Sequence, residues 1–317
     1  MRTTDSKVIA TRGSSSCKKL TDSLRHLLQR ESMIVFVNGE FLPEEQATIS
    51  VFDRGFLYGD GLFETLLVAN GKPFRWEQHL LRLQRGAAYL RISLPYKPED
   101  LRQFVSQLVT QNQMPHALLR LTLSRGIGVR GYSPRGAIKP AFTMTLHPAP
   151  PPGPNPPAQW RLMTSSLRLP AGEPLAQFKT CNKLPQILAR AEADASGADE
   201  ALLLNTNGEI VEASSGNLFW IDRGAIATPS LASGILPGVT REVVFELGNS
   251  LGITVQQSAI SPQELAKVEG VFLSLSSMGI VEAITLDNTP LAASPLVVRL
   301  GRAYQELVRN ETQTAWQ

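Results

Sequence analysis

The chain has 317 residues, 43% hydrophobic and 19% charged, too long for one ordinary domain and too apolar for a disordered one. No run of about 18 apolar residues occurs, which excludes a helical membrane span. The net charge of +3 arises in residues 1–32, where seven Lys/Arg face three Asp/Glu; the other 24 basic and 25 acidic residues nearly cancel and leave no electrostatic footprint for nucleic acid.

Residues 1–32 read as a basic, Ser/Thr-rich, disordered extension with an amphipathic piece at 20–30. They lack the apolar core of a secretory signal; organelle targeting is the alternative reading. The body begins at Met33-Ile-Val-Phe-Val-Asn-Gly39, the look of a first strand. Asn38-Gly39, Asn70-Gly71 and Asn207-Gly208 each sit between apolar runs, where the positive φ of a type I′ turn suits Asn and Gly. They predict hairpins pairing 34–37 with the segment after Gly39, 65–69 with 73–76, and 201–204 with 210–213. A fourth hairpin is expected between 217–221 and 225–228. Apolar periodicity predicts helices at 77–91, 98–112, 184–196, 240–251 and 296–308. Between residues 148 and 157 seven of ten residues are proline, a semi-rigid connector. The expected organisation is an extension at 1–32, a lobe at 33–147, a linker at 148–157 and a second lobe at 158–317. Hairpins with interspersed helices argue for α+β architecture.

Gly126-Ile-Gly-Val-Arg-Gly131 matches a dinucleotide-binding spacing, but Tyr132-Ser-Pro134 follows where a helix must open. What remains is a glycine loop with Arg125, Arg130 and Arg135, either a solvated tip or a carboxylate clamp. Leu236-Pro-Gly-Val-Thr-Arg-Glu242 places a turn before a helix, either an anion site or a plain Thr240 cap. Only Lys179, Lys183 and Lys267 lie beyond the linker. Lys179, beside apolar neighbours, is either a desolvated Schiff-base amine or a surface lysine. Glu212, at a strand end, could hold a pyridinium proton or face outward. His79 and Arg82 share a helix face and meet either an anion or water. Cys17 and Cys181 cannot form a disulfide framework, which points to a reducing cytoplasm, and the four scattered histidines predict no metal site.

Taken together these motifs resemble the class IV, fold-type IV pyridoxal-phosphate enzymes. The resemblance spans residues 33–317. It runs through Asp53-Arg-Gly-Phe-Leu-Tyr-Gly-Asp-Gly-Leu-Phe-Glu-Thr65, His79-Leu-Leu-Arg-Leu83, Lys179-Thr-Cys-Asn182, Asp199-Glu-Ala-Leu-Leu203, Glu212-Ala-Ser-Ser-Gly-Asn-Leu-Phe219 and residues 236–242. It implies a small N-terminal lobe with an antiparallel sheet, a larger lobe with a barrel-like sheet, and a homodimer with sites near the interface. It implies pyridoxal 5'-phosphate carried by Lys179, with Glu212 at the ring nitrogen and Leu236 under the ring. Arg82, Val239, Thr240 and Ser276 would hold the phosphate. Ser276 stands where the family usually has Thr, and Leu275 replaces a smaller residue.

The family contains branched-chain and D-amino acid aminotransferases and 4-amino-4-deoxychorismate lyases. The Arg130-Gly-Tyr132 sequence is similar to the lyases' substrate loop, and Lys183 stands where aminotransferases usually carry Tyr. The resemblance therefore implies a lyase that makes 4-aminobenzoate, with Arg130, Tyr132 and Lys183 binding a substrate rich in carboxylates. A class IV aminotransferase is the alternative. A non-catalytic binding protein would need Lys179, Glu212 and Arg82 to coincide by chance.

Overall fold

The computed structural model describes residues 32–151 and 156–313. The predicted extension, except Ser32, and residues 152–155 of the connector lie outside the described residues.

The first sheet contains β1 (Ile34–Val37), β2 (Glu40–Pro43), β3 (Gly61–Ala69), β4 (Lys72–Pro73), β5 (Ala117–Ser124) and β6 (Ala141–Pro148). Its order is β2-β1-β6-β5-β3-β4, with every pairing antiparallel. Along β5, Ala117, Leu119, Leu121 and Leu123 are buried on one face, the period of two that a half-covered strand requires. The cover is helix Trp76–Leu90, whose Trp76, Leu80, Leu83 and Ala87 form one helical stripe, together with helix Pro98–Gln111. Gly86 lets the first helix settle on β3: a Cβ there would meet Leu62 at 3.0 Å.

The second sheet holds β7 (Ala158–Leu169), β8 (Glu200–Asn205), β9 (Ile210–Ala213), β10 (Asn217–Asp222), β11 (Ala225–Thr228), β12 (Val255–Gln257), β13 (Gly270–Leu275), β14 (Gly279–Leu286) and β15 (Thr289–Pro290). Strands β10-β13-β14-β7-β8-β9 follow one another, and β9 returns to β10 through Glu212 and Asn217. The six close on themselves as a barrel-like mixed sheet, with β7 parallel to both neighbours. Leu218, Trp220, Leu273 and Val281 fill the inside. The alternate residues Phe219 and Phe272 point outward and stack at 5.0 Å, covered by helices Val239–Ser250 and Pro295–Thr312. Helix Leu184–Ser196 covers the outer face near Ala201 and Leu203. One antiparallel sheet and one mixed sheet with peripheral helices make the α+β fold. Among the described residues no helix is long and apolar enough to cross a membrane.

One hairpin expectation needs correction, and a second, 201–204 with 210–213, holds in its pairing but not in its turn. The strand after Asn70-Gly71 is only Lys72–Pro73: Phe74 N–H still donates to Leu67 O at 2.8 Å, but Arg75 takes a positive φ and Trp76 opens a helix. At Asn207-Gly208 only the glycine has positive φ. Asn205 Oδ1 accepts from the backbone N–H groups of Asn207 and Glu209, and this longer loop replaces the two-residue turn.

Candidate active site

Lys179 lies on an extended segment zipped to the first strand of the site. Phe63 N–H donates to the Lys179 carbonyl at 2.9 Å, and Cys181 N–H donates to Gly61 O at 2.9 Å. The Phe63 ring centroid is 4.7 Å from the lysine amine. Burial first, and the Arg82 charge second, bring Lys179 down from 10.5 to about 8. A larger free-base fraction makes the amine a better nucleophile near neutrality.

Glu212 projects from β9, and its Oε2 accepts the Leu236 N–H at 3.0 Å. Burial pushes this carboxyl above its ordinary range, opposed by that hydrogen bond and by the two lysines. The next turn leads into helix Val239–Ser250. Its cap is Gly238 and not Thr240, which sits inside the first turn. The reason is steric: a Cβ on residue 238 would fall 2.1 Å from Asn217 Oδ1. The Asn217 amide in turn donates to Leu236 O at 2.9 Å. The first-turn N–H groups are left free to meet an anion, with the Thr240 and Ser276 hydroxyls 3.4 Å apart beside them.

Arg82 comes from the other sheet's cover helix. Its Nε and Nη2 donate to Glu64 at 2.8 and 2.7 Å, and Nη1 donates to Pro237 O at 2.9 Å. His79 Nδ1 lies 2.7 Å from Glu64 Oε2. Of the two alternatives for His79 and Arg82, an anion or water, the anion holds and comes from within the chain: His79 is buried, and both residues converge on the Glu64 carboxylate of β3. Glu64 had no assigned role in the sequence. Its signal was an acid at an alternate position of an apolar strand, legible only once that strand faces the helix.

One cavity of about 600 Å³ is lined by Lys179, Arg82, Glu212, Leu236, Val239, Thr240, Ser276 and Lys183. Phe63, Gly238 and Asn217 also line it, and none of the three carried an expected role. Arg130 and Tyr132 do not. Their loop is pinned by Arg54, which is held by Asp60 at 2.8 Å and donates to the carbonyls of Gly131 and Tyr132 at 2.8 and 3.0 Å. The Tyr132 side chain points out and is 87% exposed. Within one chain the loop is thus no carboxylate clamp at this cavity. Arg125 is also committed elsewhere, to Asp60 and to the Leu90 and Arg91 carbonyls. Gly126 serves packing: its φ is +82°, and a Cβ would lie 1.9 Å from Lys139 O.

The set fits pyridoxal phosphate: an amine of lowered basicity, a buried carboxylate, and a helix start with hydroxyls and a guanidinium for a phosphate. The unpartnered buried hydroxyl of Ser274 lines the same space. Residues 61–284 match the family described as amino-transferase class IV. The chain belongs to that family. Over 261 residues it is 33% identical to a Methanocaldococcus jannaschii protein named "Putative branched-chain-amino-acid aminotransferase", covering 81% of this chain and 88% of that one. It is 26% identical to the aminodeoxychorismate lyase of Bacillus subtilis, covering 89% and 99%. The T.th. branched-chain amino acid aminotransferase, solved with pyridoxamine 5'-phosphate, superposes with a TM-score of 0.82 at 29% identity, covering 90% of this chain and 98% of that one. This class IV chain is an enzyme whose cofactor is pyridoxal 5'-phosphate.

Proposed function

We propose that this class IV enzyme is a 4-amino-4-deoxychorismate lyase, releasing pyruvate and 4-aminobenzoate. The observation that carries the reading is Lys183. It opens helix Leu184–Ser196, borders the cavity and is pulled below its usual basicity by burial, while no ion pair engages it among the described residues. A desolvated cation that feels the Glu212 charge but forms no direct ion pair with it suits a substrate carboxylate, and the lyase substrate carries two.

Lys179 is assigned as the residue that joins the cofactor and then shuttles the substrate proton at Nζ. Glu212 would hold the proton of the ring nitrogen, and Leu236 would pack against the ring. Arg82, the Val239 and Thr240 N–H groups and the hydroxyls of Thr240 and Ser276 would anchor the phosphate. The bound cofactor supplies an electron sink for the bond to hydrogen at the carbon bearing the substrate amine. Loss of the ring proton breaks the ether C–O bond and expels enolpyruvate, which takes a proton on its methylene carbon to become pyruvate, and leaves the aromatic amine.

Arg130 and Tyr132 enter this reading through a homodimer. Val51, Phe52 and Phe56, in and before the short helix Arg54–Tyr58, and Ile127 and Val129, on the loop itself, are large apolar side chains left exposed, a pattern expected of a protein–protein surface. In this reading a second copy covers them and the loop serves the partner's cavity.

An aminotransferase is the second reading, favoured by the 33% identity to the Methanocaldococcus jannaschii protein. The deciding assay mixes the enzyme with aminodeoxychorismate alone, and separately with amino acids plus 2-oxoglutarate. Appearance of 4-aminobenzoate without a keto-acid acceptor supports the lyase. Turnover confined to the second mixture overturns it.

A further inference from the structure

Glu64 stands on the core face of β3, in line with Leu62 and Leu66, where an apolar residue would be ordinary. Its carboxylate is fully buried and has three donors: Arg82 Nε, Arg82 Nη2 and His79. Stability alone does not account for such an arrangement, because a well-packed apolar replacement of a buried ion pair is often at least as stable. Its geometric effect is specific. A guanidinium has five N–H groups. Glu64 takes one on Nε and one on Nη2, and Pro237 O takes one on Nη1. One hydrogen on each terminal nitrogen remains, and the side chain borders the same cavity as Thr240 and Ser276.

We propose that Glu64 is a positioning residue for the cofactor phosphate: by fixing the Nε–Nη2 edge of Arg82 it turns the remaining Nη hydrogens toward the anion cradle and balances the guanidinium charge. His79 donates to the same Oε2 that accepts from Arg82 Nη2, and helix Trp76–Leu90 carries both basic partners one turn apart. The inference rests on the phosphate role assigned to Arg82 above.

The test is a binding ratio. The full chain, freed of cofactor, is titrated with pyridoxal phosphate and with pyridoxal, which lacks the phosphate, and both dissociation constants are read from absorbance. Glu64→Gln is expected to lower the preference for the phosphorylated form by about tenfold or more, the scale of one charge-assisted hydrogen bond, with pyridoxal affinity unchanged. Glu64→Asp keeps the charge but is one methylene short of Arg82, and it should lower the same ratio. It decides the question if the Gln variant fails to fold. A wild-type ratio in the folded variants, or equal loss of both ligands, overturns the proposal. Arg82→Gln separates the two readings: if it leaves the ratio intact, the phosphate role of Arg82 is what fails.

Discussion

Phe63 holds Lys179 at both ends, joining its carbonyl to the sheet by a 2.9 Å backbone hydrogen bond and placing a ring 4.7 Å from its amine. One residue of the first sheet therefore sets the position and the surroundings of the amine. Lys179 is brought to about 8 by burial and then by Arg82, and only its free base attacks a carbonyl. Borohydride trapping of pyridoxal on the cofactor-free protein should rise with pH around a midpoint near 8, and Lys179→Ala should abolish it. A midpoint near the ordinary lysine value would show an amine open to water.

The same depression has a stability consequence with a definite sign. Below pH 8 both folded and unfolded chains carry the proton, and the folded chain bears the whole desolvation cost. Between about 8 and 10.5 the folded chain releases its proton first, and the cost fades. Lys179→Met should therefore stabilise the cofactor-free fold at pH 7 by on the order of 2 kcal/mol, with the advantage shrinking toward pH 10. Urea midpoints at the two pH values check this, and an equal advantage at both refutes it.

Glu64 runs the other way. Burial pushes its carboxyl up, but Arg82 and then His79 outweigh it and hold the group down at about 2, against 4.5 when unfolded. Its contribution is complete above pH 4.5 and disappears as pH falls from there toward 2. Glu64→Gln should flatten the loss of stability across that window by about 2–3 kcal/mol, measured by urea unfolding at pH 6, 4 and 3.

Glu212→Gln should keep the cofactor in place, since the phosphate cradle is untouched, yet lower kcat by roughly 10²-fold or more. Absorbance of the bound cofactor and steady-state rates separate the two effects. Loss of binding with unaltered turnover per bound cofactor would contradict the assigned role.

Gly238→Ala drives a methyl group against Asn217. It should cost about 1–3 kcal/mol and weaken affinity for pyridoxal phosphate more than affinity for pyridoxal, because the displaced turn is the helix start. Denaturation and paired titrations measure both.

Much of this architecture is legible in the chain itself. Helix Leu184–Ser196 has the expected bounds, since Pro185 suits its first turn and Gly197 closes it with positive φ. The residues expected around the cofactor line a single cavity because each belongs to a local motif with its own stereochemical signature. Glu64, Phe63 and Asn217 lie inside the quoted motifs but carry no role there, because their roles exist only across sheets or between turns distant along the chain. Gly238 reads there as part of a Thr cap, because the clash that selects glycine comes from residue 217. The direction of the loop carrying Arg130 and Tyr132 is hidden for a related reason: it is set by Arg54, more than seventy residues away.

Arg82 and Phe63 belong to one sheet assembly and Glu212 and Thr240 to the other, so a ligand held by all four works as a rivet between them. The holoenzyme should melt cooperatively, at a temperature that climbs with free cofactor concentration. Vitamin B6 supply would then govern how long the protein survives proteolysis as well as how fast it turns over.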